Sequence, residues 1–232
     1  MEFAEELIKG KIVDNYKDII LDVKLDGGSV VSAFCSKHTY MEDVYVKGAD
    51  VYVSLSKDER KRLKYECQIV NKGDGMVFVN PMYNEAIFIE GIKKGMIDEF
   101  KDFSSVRRIK PDLSMKCSYF ELAKKGGDKM FVYLDNIYNK QDGNAVFPSD
   151  LNAMEIRLLE ELRAKRREGY DTAVFEIVPR PDCANVKFSW LINQIAAAKI
   201  YDETEDGLKF ICYGCNVSQY EVAISRKMDV LY

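Results

Sequence analysis

The sequence predicts an α+β protein: a small five-stranded barrel followed by a mixed α/β half. Three observations carry this. Five short apolar runs separated by tight turns fill the stretch from 19 to 80. Helical periodicity then begins abruptly at 84, and strand-like and helix-like segments alternate to the C-terminus. No repeat or low-complexity linker separates the two halves, so they are expected to pack closely.

In the first half, IILDVKLD (19–26) leads through Gly27-Gly28 into SVVSAFC (29–35), a hairpin signal. ADVYVSLS (49–56) and LKYECQIVN (63–71) follow, then a GDG turn and MVFVN (76–80). Strands this short, with turns this tight, suit a small closed sheet. The oligonucleotide/oligosaccharide-binding barrel leads, with an SH3-like barrel as the competitor.

In the second half, NEAIFIEGIKKGMIDEF (84–100) carries a helical apolar stripe at 87, 88, 92, 96, 97 and 100. MKCSYFEL (115–122) and KMFVYLDN (129–136) read as strands about a KKGGD turn. DLNAMEIRLLEELRAKRREG (150–169) is the clearest helix. Ser149 or Asp150 is placed to cap it, Leu151, Met154, Leu158, Leu159 and Leu162 form its apolar face, and Gly169 lies past its end. TAVFEIVPR (172–180) is a strand and KFSWLINQIAAAKI (187–200) a further helix; GLKFICYGCNVS (207–218) and YEVAISRKMDVLY (220–232) close the chain as strands. The boundary falls within 81–90, giving a barrel over 1–85 and an α/β domain over 86–232.

Composition narrows the chemistry. Of 232 residues, 47% are apolar, enough for a sizeable core, and the net charge is −4, ordinary for a soluble protein. The N-terminal stretch is too charged for a secretory signal and no apolar run is long enough to span a bilayer, so a cytoplasmic protein without membrane contact is expected. The six cysteines (35, 67, 117, 183, 212, 215) are then reduced core thiols. Cys212 and Cys215 make one CYGC, but a zinc site needs a second ligand pair and the only histidine is His38. No glycine-rich phosphate loop, Ser-His pairing or HExxH is present.

Charge is patterned locally. SLSKDERKRLKYE (54–66) places Arg60, Lys61, Arg62 and Lys64 between two barrel strands with Tyr65 beside them. Such a loop suits phosphates, with an aromatic ring to stack a base, although Asp58 and Glu59 dilute it toward an ordinary surface turn. Arg163, Lys165, Arg166 and Arg167 complement a helix C-terminus. Arg107, Arg108 and Lys110 form a third cluster, in a loop or edge strand.

Several stretches together resemble the sugar fermentation stimulation protein family: LDGGSVVSAFC (25–35), SLSKDERKRLKYECQIV (54–70), VNPMYNEAIFIEGIKKGMIDEF (79–100), FPSDLNAMEIRLLEEL (147–162), TAVFEIVPRPDCANV (172–186) and ICYGCNVSQYEVAI (211–224). RKRLKY (60–65) and RPD (180–182) are the most telling. The resemblance implies an oligonucleotide-binding barrel, a restriction-endonuclease-like domain and DNA as ligand. It also implies a metal site built from an Asp on one strand and Glu-x-Lys on the next. Matched onto this chain, those positions fall on Ser118, Tyr133 and Asp135. The pattern departs at Met154-Glu155 and Arg157-Leu158 in the long helix, and at CSKHTYM (35–41). Two acids would hold Mg²⁺ and the lysine would steady the attacked phosphate. Serine and tyrosine are poor substitutes for carboxylates, and an aspartate cannot supply the lysine's positive charge.

The expectation is therefore a non-catalytic DNA-binding protein with no cofactor. Arg60, Lys61, Arg62, Lys64 and Tyr65 would contact the backbone with weak sequence specificity. Two alternatives stand beside it. One is a Mg²⁺-dependent nuclease with its site moved to Glu121, Asp135 and Glu176. The other is a protein-interaction module without nucleic-acid binding.

Overall fold

In the computed structural model, residues 1–17, 19–36, 44–110, 118–147, 153–189 and 194–232 are described. His38, Cys117, Ser149, Asp150 and Leu151, together with the side chains of Met154 and Glu155, lie outside that set.

The first half forms strands β1 (Ile8–Tyr16), β2 (Ile20–Leu25), β3 (Val30–Phe34), β4 (Asp50–Leu55), β5 (Tyr65–Asn71) and β6 (Met76–Phe78). They run in the order β3-β2-β1-β4-β5-β6, and a β3–β5 pairing closes the first five into a barrel. This is the expected five-stranded barrel with one change of membership. The ring includes 8–16, which periodicity did not mark, and 76–78 hangs outside as a sixth strand. Gly10 explains the omission. It takes an inward position of β1 where an added Cβ would lie 2.7 Å from the Lys24 carbonyl oxygen and from Val23 Cγ1. A strand whose inward residue must be glycine shows no apolar alternation. Ile12, Leu21, Val23, Ala33, Val51, Val53 and Val70 fill the interior.

The second half is built on β7 (Phe103–Ile109), β8 (Ser118–Lys124), β9 (Lys129–Asn136), β12 (Asp171–Val178), β14 (Lys209–Val217) and β15 (Val222–Lys227), in the order β15-β14-β12-β9-β8-β7. The central β9, β12 and β14 are parallel. A small sheet of β10 (Lys140–Gln141), β11 (Asn144–Phe147), β13 (Val186–Phe188) and β16 (Val230–Leu231) completes the half. Helix α1 (Asn84–Lys93) packs Ile87, Phe88 and Ile92 into the cluster on one sheet face. Helices α2 (Ala153–Arg167) and α3 (Gln194–Glu205) bring Leu158, Leu159, Leu162, Ala197 and Ile200 to the other.

Two expected helices change. The stripe over 84–100 is cut at Lys93, because Gly95 at φ +67 ends the helix in a left-handed cap where Met96 N–H donates to Gly91 O at 2.9 Å. Of the helix expected over 187–200, residues 194–200 lie in α3, whereas Val186–Phe188 form strand β13. In that strand Val186 and Phe188 are buried and Lys187 exposed, a period of two that pairs with β11 and β16. The five described cysteines are buried and free. Cys212 and Cys215 belong to different clusters on opposite faces of β14. Among the described residues, no helix is long and apolar enough to cross a membrane.

The halves share a core. Leu7, Tyr52, Ile69 and Phe78 from the barrel side join Phe88, Phe100, Phe120 and Phe175 in one cluster, with Phe88 and Phe175 centroids 5.0 Å apart. Phe78 N–H also donates to Pro179 O at 2.9 Å. Just beyond that bond lies Arg180, whose side chain is 0% exposed. Its Nε and Nη2 meet Asp182 at 2.7 and 2.9 Å, and its Nη1 donates to Tyr138 O at 2.8 Å. Lys140 bridges Asp182 at 2.6 Å and Asp74 of the β5–β6 turn at 3.3 Å.

Burial pushes the Asp182 carboxyl up, but Arg180 and Lys140 more than offset this and bring it down to about 2. Its folded value is thus below its unfolded one. The stabilisation, about 2 kcal/mol, is full above pH ~4 and disappears as the pH falls toward ~2. Stability measured by denaturant titration should drop over that window in the native chain. In Asp182→Asn the drop should be smaller by that amount. Arg180→Ala leaves a buried carboxylate without its main partner, and should lower the unfolding free energy at pH 7 by roughly 3–5 kcal/mol.

Candidate nucleic-acid interface and nuclease-like face

The loop between β4 and β5 emerges beside the β3–β5 seam of the barrel. Ser56 N–H donates to Lys64 O at 2.7 Å and pins its base. Inside it, the expected cations are unequal. Arg60 Nε and Nη2 grip the Asp58 carboxylate at 3.0 and 3.1 Å, and hydrogen bonding from Arg60 holds Asp58 below the usual carboxylate range. Lys61 pairs with Glu66. Lys64 Nζ donates to Glu59 O at 2.6 Å, so its charge is not neutralised by that contact. Arg62 is exposed and makes no ion pair with a described residue. Tyr65 is half-buried against the barrel core rather than free to stack. The exposed ring at this place is Phe34, which lines a cleft with Lys61, Arg62, Leu63 and Glu66. Sequence reading passed over Phe34 because SVVSAFC is apolar on both faces.

A second group of cations is invisible in sequence because its members are far apart. Lys9 and Lys11 share Asp50 at 3.1 and 2.6 Å, and Lys11, Lys47 and Lys72 edge a cleft floored by Gly48 and Gly73. The other basic runs are engaged locally. Arg107 and Arg108, on edge strand β7, hold Glu121 and Glu85, both at 2.9 Å. Arg163 and Arg166 hold the buried Glu203, and Arg166 also donates to Thr172 Oγ1 at 3.0 Å.

On the large sheet, Tyr133 and Asp135 of β9 share a face, the one covered by α2 and α3. Tyr133 Oη donates to Asp135 Oδ2 at 2.8 Å, and Asn136 N–H donates to Oδ1 at 2.9 Å. Burial raises the Asp135 carboxyl above its ordinary value despite these two bonds. Ser118 does not join them. It pairs with Leu134 and points to the α1 face, where its hydroxyl donates to Glu85 at 2.8 Å. The residue of β8 directly opposite Tyr133 is Tyr119. The match to Ser118 is therefore one residue off, and a one-residue slip changes the face.

Glu121, Asp135 and Glu176 all lie on this face, but only two are neighbours. Asp135 and Glu176 are in register on β9 and β12. Glu121 sits opposite Phe131, four residues along β9 from Asp135, roughly 13 Å at strand spacing. Burial pushes the Glu121 carboxyl up, and bonds from Lys129 at 3.3 Å and Arg107 at 2.9 Å more than offset it. Among the described residues, no three His, Cys, Asp or Glu side chains converge as metal ligands. Both Asp135 oxygens already accept hydrogen bonds, and the carboxylate in register beside it is Glu176 of β12, while the place of the acid expected on β9 is taken by the Tyr133 phenol.

Comparison with known proteins agrees with this architecture. The family model described as "Sugar fermentation stimulation protein RE domain" matches residues 82–221. The sugar fermentation stimulation protein homolog of Maricaulis maris is 28% identical over 234 residues, covering 99% of this chain and 98% of its own. That of Paramagnetospirillum magneticum is 26% identical over 219 residues, covering 94% and 92%. Among solved structures, Pyrococcus furiosus SfsA in complex with Ca²⁺ superposes with a TM-score of 0.81 at 15% identity, covering 100% of this chain and 98% of its own. The fold is thus an oligonucleotide-binding barrel joined to an endonuclease-like domain, and the chain belongs to the sugar fermentation stimulation protein family.

Proposed function

We propose that this protein binds DNA through its barrel and does not cleave it, the endonuclease-like half serving as a scaffold. The observation that carries the reading is the Tyr133–Asp135 hydrogen bond, made at the two positions where Glu and Lys are expected. A phenol replaces a carboxylate, and an acid held by it replaces the cation that would face the phosphate. The barrel meanwhile keeps uncompensated positive charge at Arg62 and Lys64, in the loop that such barrels use for ligands. Backbone contact of this kind carries little base information, so binding is weakly sequence-specific.

Binding should weaken linearly on a log–log plot against salt concentration. Arg62→Glu should weaken it about fivefold or more and make the slope shallower by about one. Arg60→Glu should act less, because Arg60 is already spent on Asp58. Fluorescence anisotropy across a salt series checks both. Failure of Arg62→Glu to change affinity or slope would remove the loop from the interface.

One observation favours a second reading, a relocated nuclease site: Asp135 and Glu176 are adjacent carboxylates in register. That reading requires Mg²⁺- or Mn²⁺-dependent cleavage that Asp135→Ala abolishes. We expect no cleavage of single- or double-stranded DNA with either metal. Cleavage by the native chain that Asp135→Ala eliminates would reverse the proposal.

A further inference from the structure

We infer that the outer face of the barrel carries a stacking platform for unpaired bases, built from Tyr16, Ile20 and Phe34, which makes single-stranded nucleic acid the preferred ligand. The inference rests on the DNA-binding reading and specifies its ligand class. Tyr16 of β1 lies directly opposite Ile20 of β2, and Ile20 opposite Phe34 of β3. The three side chains therefore form one row across three strands, on the face turned away from the core. Tyr16 is 50% and Phe34 42% exposed. Two large rings held open to water on the strands either side of β2 have no role in the barrel core, which Leu21, Ala33 and Cys35 fill from the other face.

The row is positioned rather than loose. Asp22, one rung along β2, accepts from Tyr16 Oη at 3.1 Å and from Ser32 Oγ at 2.7 Å. Tyr16 and Phe34 stand two strands apart, about 10 Å, so each ring can take a separate base with Ile20 between them. On the far side of Phe34 the row runs into Glu66 of β5 and the cleft holding Arg62 and Lys61. Glu66 is matched by Lys61, which leaves the Arg62 guanidinium to meet a phosphate next to the stacked base. An aromatic surface bordered by an unmatched cation complements a strand with exposed base faces. A duplex hides those faces within its own stack and offers this surface only its phosphates.

The test uses the whole chain and fluorescence anisotropy with a labelled 12-nucleotide oligothymidine and a labelled 12-base-pair duplex. The native protein should bind the single strand at least tenfold more tightly. Phe34→Ala and Tyr16→Ala should each weaken single-strand binding by about fivefold or more, the scale of one lost base–ring stack. Duplex binding should be unchanged and Phe34→Tyr should retain affinity. Both rings are exposed, so these variants should keep the native circular dichroism spectrum. If both alanine variants bind the single strand as the native chain does while Arg62→Glu weakens it, the platform is wrong and the DNA-binding reading stands. If neither probe binds at low salt, both fall.

Discussion

The arrangement of the two halves depends on a buried guanidinium. Arg180 has no exposed side-chain surface, and a charge in that position is tolerated only when its donors are filled. Asp182 fills two and the Tyr138 carbonyl a third. This fixes the path of the chain after β12, because the residue that supplies the charge and the one that neutralises it flank a proline. Lys140 then extends the pair to Asp74 on the β5–β6 turn. Gly75 of that turn, at φ +147, packs against the RPD segment, where an added Cβ would meet Pro181 at an ordinary contact distance of 3.4 Å. The orientation of barrel to sheet is thus set by electrostatic closure as well as by the phenylalanine cluster. The RPD motif thus forms a structural lock between the two halves.

The same economy of polar groups explains the nuclease-like face. A mixed sheet with helices on both faces has few places where a carboxylate can stay solvated. Asp135 meets this constraint by accepting from Tyr133 and from the Asn136 backbone, and its raised pKa follows from burial that these bonds only partly relieve. A carboxylate committed to a neighbouring phenol is a poor metal ligand. Glu121 is committed too, to Arg107 and Lys129. Among the described residues, the Asp135 and Glu121 carboxylates are thus engaged within the sheet that presents them.

What was legible in the sequence divides along a physical line. Features set by local periodicity were readable: strands β2 to β6 of the first half, strands β8, β9, β12, β14 and β15 of the large sheet, and the body of α2. Features set by contacts between distant segments were not. β1 was hidden because Gly10 gives up its side chain to a close crossing with β2. The helix expected from 187 was displaced because Val186 and Phe188 are claimed by a four-stranded sheet whose other members lie forty residues before and after. The assignment of Ser118 shows how sharp the limit is. Composition cannot distinguish Ser118 from Tyr119 as the partner of Tyr133, yet the choice decides which face of the sheet the residue serves.

Charge was legible only as a count. RKRLKY reads as a uniform basic run, but Asp58 and Glu66, on either side of it, neutralise Arg60 and Lys61. The positive potential left over is narrow and sits beside Phe34, a residue that no charge pattern would have flagged. The sequence signal and the candidate binding surface therefore overlap without coinciding. A run of cations is an upper bound on available charge, since each carboxylate within side-chain reach subtracts from it. The aromatic rings next to the remainder decide whether that charge meets a phosphate alone or a phosphate and its base. In this loop the charge beside Phe34 is the Arg62 guanidinium at the edge of an apolar row, an arrangement better matched to the alternating charge and ring of a single strand than to the phosphate surface of a duplex.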